Sequence, residues 1–151
     1  FKDYNFATER SQHLMSLGIP LNTDSTLKGQ TVFLAERCGE LMHDNIITDR
    51  TILDVMAFTM NAKSIPHQDK EAFETYASEF VREYDYIFYI SPYGLEIEDN
   101  GVRETDEHYR DLIDFTITTL IKRHGHKAGT IEKISGSTKE RIQQILKFTN
   151  L

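Results

Sequence analysis

The sequence predicts an α/β domain built on a parallel sheet with helices on both faces. Three observations carry that expectation. Short β-branched or aromatic runs alternate with longer stretches of helical periodicity. The run Asp85–Ser91 is almost wholly apolar, as a parallel strand covered on both faces should be. Strand-like runs also end abruptly in charged residues where a helical pattern begins, above all at Ile46-Ile47-Thr48-Asp49-Arg50. In an open α/β sheet such junctions lie at the carboxyl ends of strands, where ligands bind.

The elements follow in order. Tyr4–Thr8 reads as a short strand, and Glu9–Leu17 as a helix closed by Gly18 and Pro20. Residues 19–26 form a polar loop. Leu27–His43 carries Val32, Leu34, Ala35, Cys38, Leu41 and Met42 at helical spacing. Residues 45–49 are a strand, and Thr51–Asn61 a helix with Ile52, Val55, Met56 and Thr59 on one face. Ser64–His67 is a loop. Lys70–Glu83 is a helix turning Phe73, Tyr76, Ala77, Phe80 and Val81 inward.

After the strand Asp85–Ser91, residues 92–104 form a loop rich in glycine and acids. Thr105–Arg123 is a long helix with Tyr109, Leu112, Ile113, Ile117, Leu120 and Ile121 as its stripe. His124–Gly129 turns into a strand at Thr130–Ile134. Gly136-Ser137 opens the last helix, which runs through Phe148, with Ser137 as N-cap and Glu140 completing a capping box. Four strands are few for a doubly wound sheet, the first hint of a missing element.

The chain has 151 residues, 39% of them hydrophobic, which is one domain with a core of its own. Its net charge of −7 argues against nucleic acid as a partner, since duplex binding rests on clustered cations. Local arginines still suit a small anion. The single cysteine, Cys38, rules out an internal disulfide and suggests a reducing compartment, the cytoplasm. Cys38 lies on an apolar stripe and reads as core. No apolar run has the length of a membrane span or signal peptide.

Four clusters could carry chemistry. Asp49-Arg50 stands at the strand-to-helix switch, where the acid can hold Mg²⁺ or take a proton and the arginine can grip a phosphate. Asp54, one turn on, either orients Arg50 or is solvated. Glu9-Arg10 repeats the arrangement after the first strand, as substrate ligands or as an acidic helix start. Asp99-Asn100-Gly101-Val102-Arg103 with Arg110 has the makings of a lid whose two arginines neutralise developing charge, or of a solvated loop. Glu96, Glu98, Asp99 and Asn100 miss the calcium-loop spacing. Ser135-Gly136-Ser137 could wrap a purine base, or be an ordinary turn. His124-Gly125-His126 lacks a third metal ligand nearby. Lys122, Arg123 and Lys127 read as a solvated helix end.

Taken in order, these stretches resemble the P-loop nucleoside and nucleotide kinases, in particular the nicotinamide-riboside-kinase-like and AAA-type ATPase/kinase group. The resemblance rests on Glu9-Arg10-Ser11, Ile47-Thr48-Asp49-Arg50-Thr51-Ile52-Leu53-Asp54, Tyr84–Tyr89, Glu98–Glu104 and Gly136-Ser137, and so spans nearly the whole chain. It implies ATP and Mg²⁺, and phosphoryl transfer to a nucleoside or nucleotide. Asp49 would be the metal ligand or act on the acceptor hydroxyl. Arg50, Arg103 and Arg110 would be catalytic, with the two latter in a lid region of about 92–127. Glu9 and Arg10 would bind the acceptor, and Gly136 and Ser137 the nucleotide base. A homodimer stays open. The alternatives are a P-loop ATPase or regulatory switch without an acceptor, and a nucleotide-binding module without catalysis.

The phosphate-cradling Gly-x-x-x-x-Gly-Lys-Ser/Thr loop does not occur in the 151 residues. The group's strand order, 2-3-1-4-5, would place the missing first strand between residues 45–49 and 85–91. A strand, loop and helix need roughly 25 residues, so the expectation is an upstream segment in the intact protein.

Overall fold

Parallel strands cannot be joined by a tight turn, so a crossover must carry the chain back between them. Both strand pairs of this protein are of that kind. The computed structural model describes residues 2–8, 10–93 and 106–150. In it β1 (Asn5–Ala7) pairs in parallel with β2 (Ile46–Thr48), and Asn5 stands opposite Ile46 and Ala7 opposite Thr48. The crossover contains α1 (Ser11–Ser16), a 3-10 turn at Asn22–Asp24 and α2 (Leu27–Glu40). Farther on, β3 (Tyr86–Ile90) pairs in parallel with β4 (Thr130–Ile134) through α5 (Glu107–His124) and a 3-10 turn at Gly125–Lys127. Between the pairs lie α3 (Ile52–Asn61) and α4 (His67–Ala77), the latter running into a 3-10 segment at Ser78–Glu83. The last element is α6 (Thr138–Thr149).

The class is therefore α/β with parallel pairing. The single larger sheet does not form: β1–β2 and β3–β4 are separate two-stranded sheets, with no ladder between β2 and β3. Two-stranded sheets are marginal alone. The β3–β4 pair leans on an apolar core around α3 through Ile87 and Ile131, and no residue of β1 or β2 belongs to that core. Ile52, Leu53, Val55, Met56 and Ala57 are buried there with Leu34 of α2, Phe73 and Ala77 of α4, Val81, Tyr84, Ile87 of β3, and Tyr109, Ile113 and Leu120 of α5. Helix α3 is apolar nearly all round, as a helix packed against α2, α4 and α5 must be.

Helix starts are set by side chains. Thr26 accepts from the Gly29 amide at 3.1 Å and starts α2. Thr51 and Asp54 form a capping box on α3, and Ser137 and Glu140 form the one expected on α6.

Several sequence expectations need correction. The buried face of α2 is Gln30, Leu34, Arg37 and Glu40, while Ala35 and Met42 face out. The Arg37–Glu40 pair claims the inner face, so the stripe is rotated. Helix α4 begins earlier than expected, at His67, and tightens to 3-10 after Ala77; Tyr76 is exposed, edge-on to Phe80. In β3 only Ile87 is buried, because Tyr86 and Ile90 project from a sheet no helix covers closely. Helix α6 has no buried residue and touches β4 lightly. Lys122 and Arg123 are exposed at the end of α5, as expected, but Arg123 and Lys127 are also engaged in contacts. Arg123 and His124 meet the buried Glu74 at 2.6 and 2.7 Å, and Lys127 donates to Ser78 Oγ and Glu79, each at 2.8 Å. These contacts tie α4 and the segment after it to the end of α5. Among the described residues, no helix is long and apolar enough to cross a membrane.

Candidate functional site

The β1–β2 register decides which charged residues share an edge. The Asp49 amide donates to the Ala7 carbonyl at 2.9 Å, extending the ladder one step beyond β2. Arg10, three residues past Ala7, and Asp49-Arg50 therefore leave the same carboxyl-end rim. Glu9 lies outside the described residues. Asp49 is exposed, and its carboxylate has no hydrogen bond or ion pair among the described residues. Arg10 and Arg50 are alone among the described arginines in lacking any side-chain hydrogen bond or ion pair. The Arg50 guanidinium stands over the Phe58 ring, 5.3 Å from its centroid.

Arg50 also has φ of 74°, a left-handed backbone that an L residue with a long side chain rarely takes. Such a residue costs of order 1–3 kcal/mol and persists where its surroundings over-determine it. Here the downstream side is fixed by the capping box. Asp54 Oδ2 accepts from the Thr51 amide at 2.7 Å and from its hydroxyl at 3.0 Å. Asp54 is thus committed to starting α3 and makes no hydrogen bond or ion pair with Arg50.

Beneath the rim lies a buried polar layer. Arg37, 4% exposed, donates from Nη1 to the Asp49 carbonyl at 3.0 Å and makes an ionic contact with Glu40 Oε2 at 2.9 Å. That contact is not an aligned hydrogen bond, so both Glu40 oxygens lack a donor among the described residues. Burial pushes the Glu40 carboxyl above its usual range, Arg37 and Arg10 pull it back, and Glu36 adds to the rise. The Tyr84 hydroxyl accepts from the Ile52 amide at 3.1 Å, and burial holds its pKa far above the ordinary phenol value. Arg37, Glu40 and Tyr84 escaped the sequence reading. A signal for Arg37 was present: it sits three positions after Leu34, where the helical repeat calls for an apolar residue.

None of the other described candidates makes a hydrogen bond or ion pair with the rim side chains. Arg103 falls outside the described residues. Arg110, half-buried in the first turn of α5, meets Asp111 at 3.3 Å and has no hydrogen bond or ion pair with Arg10, Asp49 or Arg50. The second half of the expected lid is α5, whose Tyr109, Ile113 and Leu120 are in the core. Gly136 and Ser137 follow β4. Gly136 has φ of 92°, and a Cβ there would stand 2.6 Å from Glu140 Oε2. Ser137 exchanges hydrogen bonds with Glu140. Both residues thus have a local role in starting α6. Gly136 also borders an open depression of about 400 Å³, with Ser135, Glu140, Gln143, Gln144 and Lys147 along it. Among the described residues no group of three or more His, Cys, Asp or Glu could hold a metal.

What the rim offers is one carboxylate and two guanidiniums, none of them in a side-chain hydrogen bond or ion pair. That can bind an anion and can complete the shell of a hydrated cation. The fold defines the class as an α/β protein of parallel strand pairs. Comparison of the chain with known protein families, characterised proteins and solved structures finds no match.

Proposed function

We propose that the protein transfers the γ-phosphoryl group of ATP to a nucleoside or nucleotide. The observation that carries this reading is that Arg10, Asp49 and Arg50 leave one strand rim with no side-chain hydrogen bond or ion pair. Guanidiniums bind phosphate oxygens bidentately. Mg²⁺ at phosphoryl-transfer sites takes one or two carboxylates and fills its shell with water and phosphate. A lone exposed Asp49 fits that mode. The ion, when bound, neutralises charge on the transferring group.

In this reading Asp49 holds the hydrated ion or orients the acceptor hydroxyl. Arg50 grips phosphate, Arg10 and Glu9 engage the acceptor, and Arg103 and Arg110 offset charge that develops in transfer. The base would lie near Gly136 and Ser137, along the depression that Gly136 borders. The reading also needs a loop to cradle the β- and γ-phosphates, which the 151 residues do not supply. Among the described residues one edge of β2 and one edge of β3 face no strand, and the strand leading into such a loop could pair there.

The test is a thermal-shift panel of ATP–Mg²⁺ with nucleosides and nucleotides, on protein from the complete reading frame, followed by product analysis. A stabilising nucleotide pair that yields ADP and a phosphorylated acceptor is the expected result. Arg10→Ala and Arg50→Ala should weaken the shift, and Arg103→Ala should lower kcat far more than acceptor affinity. ATP turnover indifferent to every acceptor would move the assignment to an ATPase or switch. The missing Gly-Lys-Ser/Thr favours a second reading, a nucleotide-binding module without turnover. Stabilisation by ATP with no product would select it, and no stabilisation by any nucleotide would sink both.

A further inference from the structure

Arg37 occupies a core position on α2 yet reaches the rim. Its Nη1 bonds the Asp49 carbonyl, which belongs to the peptide plane joining Asp49 to Arg50. The left-handed φ of Arg50 is the rotation between that plane and the Arg50 Cα. On the far side, the Thr51–Asp54 capping box fixes the chain as it enters α3. The strained joint is therefore held from both ends, by a buried guanidinium upstream and a helix cap downstream. Glu40 supplies the countercharge that lets the guanidinium stay buried.

We infer that Arg37 is a positioning residue: it holds the Asp49–Arg50 turn in its left-handed form and so fixes where the Asp49 carboxylate and Arg50 guanidinium stand. The clamp rests on geometry alone; its consequence for phosphoryl transfer rests on the reading above. Arg37 is too deeply buried to touch a substrate itself, so it acts through the turn.

Removing Arg37 alone would strand the Glu40 charge. The primary variant is therefore Arg37→Met with Glu40→Met, since an apolar pair often replaces a buried ion pair without loss of stability. Arg37→Lys is the second variant. It keeps a countercharge for Glu40, but an ammonium lacks the planar fork that serves carboxylate and carbonyl together. Two readouts apply to each folded variant. One is the amide-to-Hα nuclear Overhauser effect of Arg50, which is strong at positive φ because those protons are then close. The other is steady-state kinetics with ATP–Mg²⁺.

In the parent the Arg50 effect should be strong. In both variants it should weaken, while melting stays within a few degrees of the parent. With active protein, kcat should fall about 10–100-fold, the usual cost of losing a group that orients a ligating residue. The nucleotide KM should hold within about threefold, because ground-state binding does not depend on the turn alone. An Arg50 effect of parental strength in a folded variant overturns the inference. So does unchanged kcat. If the parent has no turnover, the reading above has failed, and the Arg50 effect still decides the clamp.

Discussion

Tyr84 offers the sharpest test of the buried layer. Its hydroxyl accepts the Ile52 amide, and both residues are inside, Ile52 fully and Tyr84 at 7% exposure. Tyr84→Phe keeps the ring and its packing but leaves that amide without an acceptor. An unsatisfied buried donor costs about 1–3 kcal/mol. The entropy of unfolding is about 2.1 cal/mol/K per residue, which over 151 residues comes to about 0.3 kcal/mol/K. The melting temperature should therefore fall by about 3–10 °C. Tyr86→Phe is the control, since Tyr86 is 40% exposed and its hydroxyl makes no hydrogen bond.

The pH dependence sharpens the same test. Burial raises the Tyr84 pKa, the Ile52 amide lowers it somewhat, and Asp54 and Glu40 raise it further. An unfolded phenol titrates near pH 10. The folded state therefore holds its proton longer than the unfolded state. The linked stability is complete below about pH 10 and is lost as pH rises towards the folded value. Tyr84→Phe removes part of that slope, so its penalty should shrink in alkali. Tyr89, pushed up to about 12 by burial and by Asp114, keeps the rest of the slope in both proteins. Chemical denaturation at pH 7 and pH 11 reads this out. A Tyr84→Phe penalty no larger than that of Tyr86→Phe would refute the reasoning.

Three further outcomes follow from the local geometry. Asp54→Ala breaks the capping box on α3 and should cost about 0.5–2 kcal/mol in urea unfolding, with the Arg50 turn loosened in parallel. Gly136→Ala places a methyl group 2.6 Å from Glu140 Oε2 at a φ of 92°, and should cost about 1–3 kcal/mol, read as a lower melting point and less helix by circular dichroism. Glu74→Gln concerns acid stability. Burial would raise the Glu74 carboxyl, but the His124 and Arg123 hydrogen bonds and charges outweigh it and hold it below its usual range. A lowered carboxyl stabilises fully above the unfolded value, about 4.3, and loses that as pH falls through the folded one. The gap between Glu74→Gln and parent, measured by denaturant midpoint, should accordingly be wide at pH 7 and narrow at pH 3.

Local chemistry was legible where it was self-contained. Thr130–Ile134 begins and ends as its β-branched run suggests, and the Ser137–Glu140 box forms because both partners lie within one turn. Ile52, Val55, Met56 and Thr59 are all buried, since an apolar stripe has nowhere else to go. What failed was set by tertiary partners. The face of α2 turns on a salt bridge and the Asp49 carbonyl just past β2, neither visible in hydrophobic spacing. Tyr86 and Ile90 read as buried because apolar strands usually are, yet burial needs a covering layer, and α6 barely provides one. At the site, Asp49 and Arg50 could be placed at a rim from strand and helix signals alone. The left-handed turn between them could not, because nothing about an arginine at that position announces positive φ.

The contrast among arginines is what supports the proposal that the rim binds an anion. The chain has 24 acids against 17 lysines and arginines, so no shortage of carboxylates leaves a guanidinium unpaired. Arg37 is buried, neutralised by Glu40 and spent on the backbone. Arg123 and Arg110 are spent on neighbouring acids. Arg10 and Arg50 make no side-chain hydrogen bond or ion pair at the edge where β1 and β2 both end, and Arg50 has a left-handed backbone rare for an arginine. Strain held by a buried clamp, beside charge left without a partner, is an arrangement that folding alone does not reward. An anionic ligand drawn to that edge would supply the missing free energy, and the clamp would keep the two guanidiniums and the Asp49 carboxylate in register to receive it.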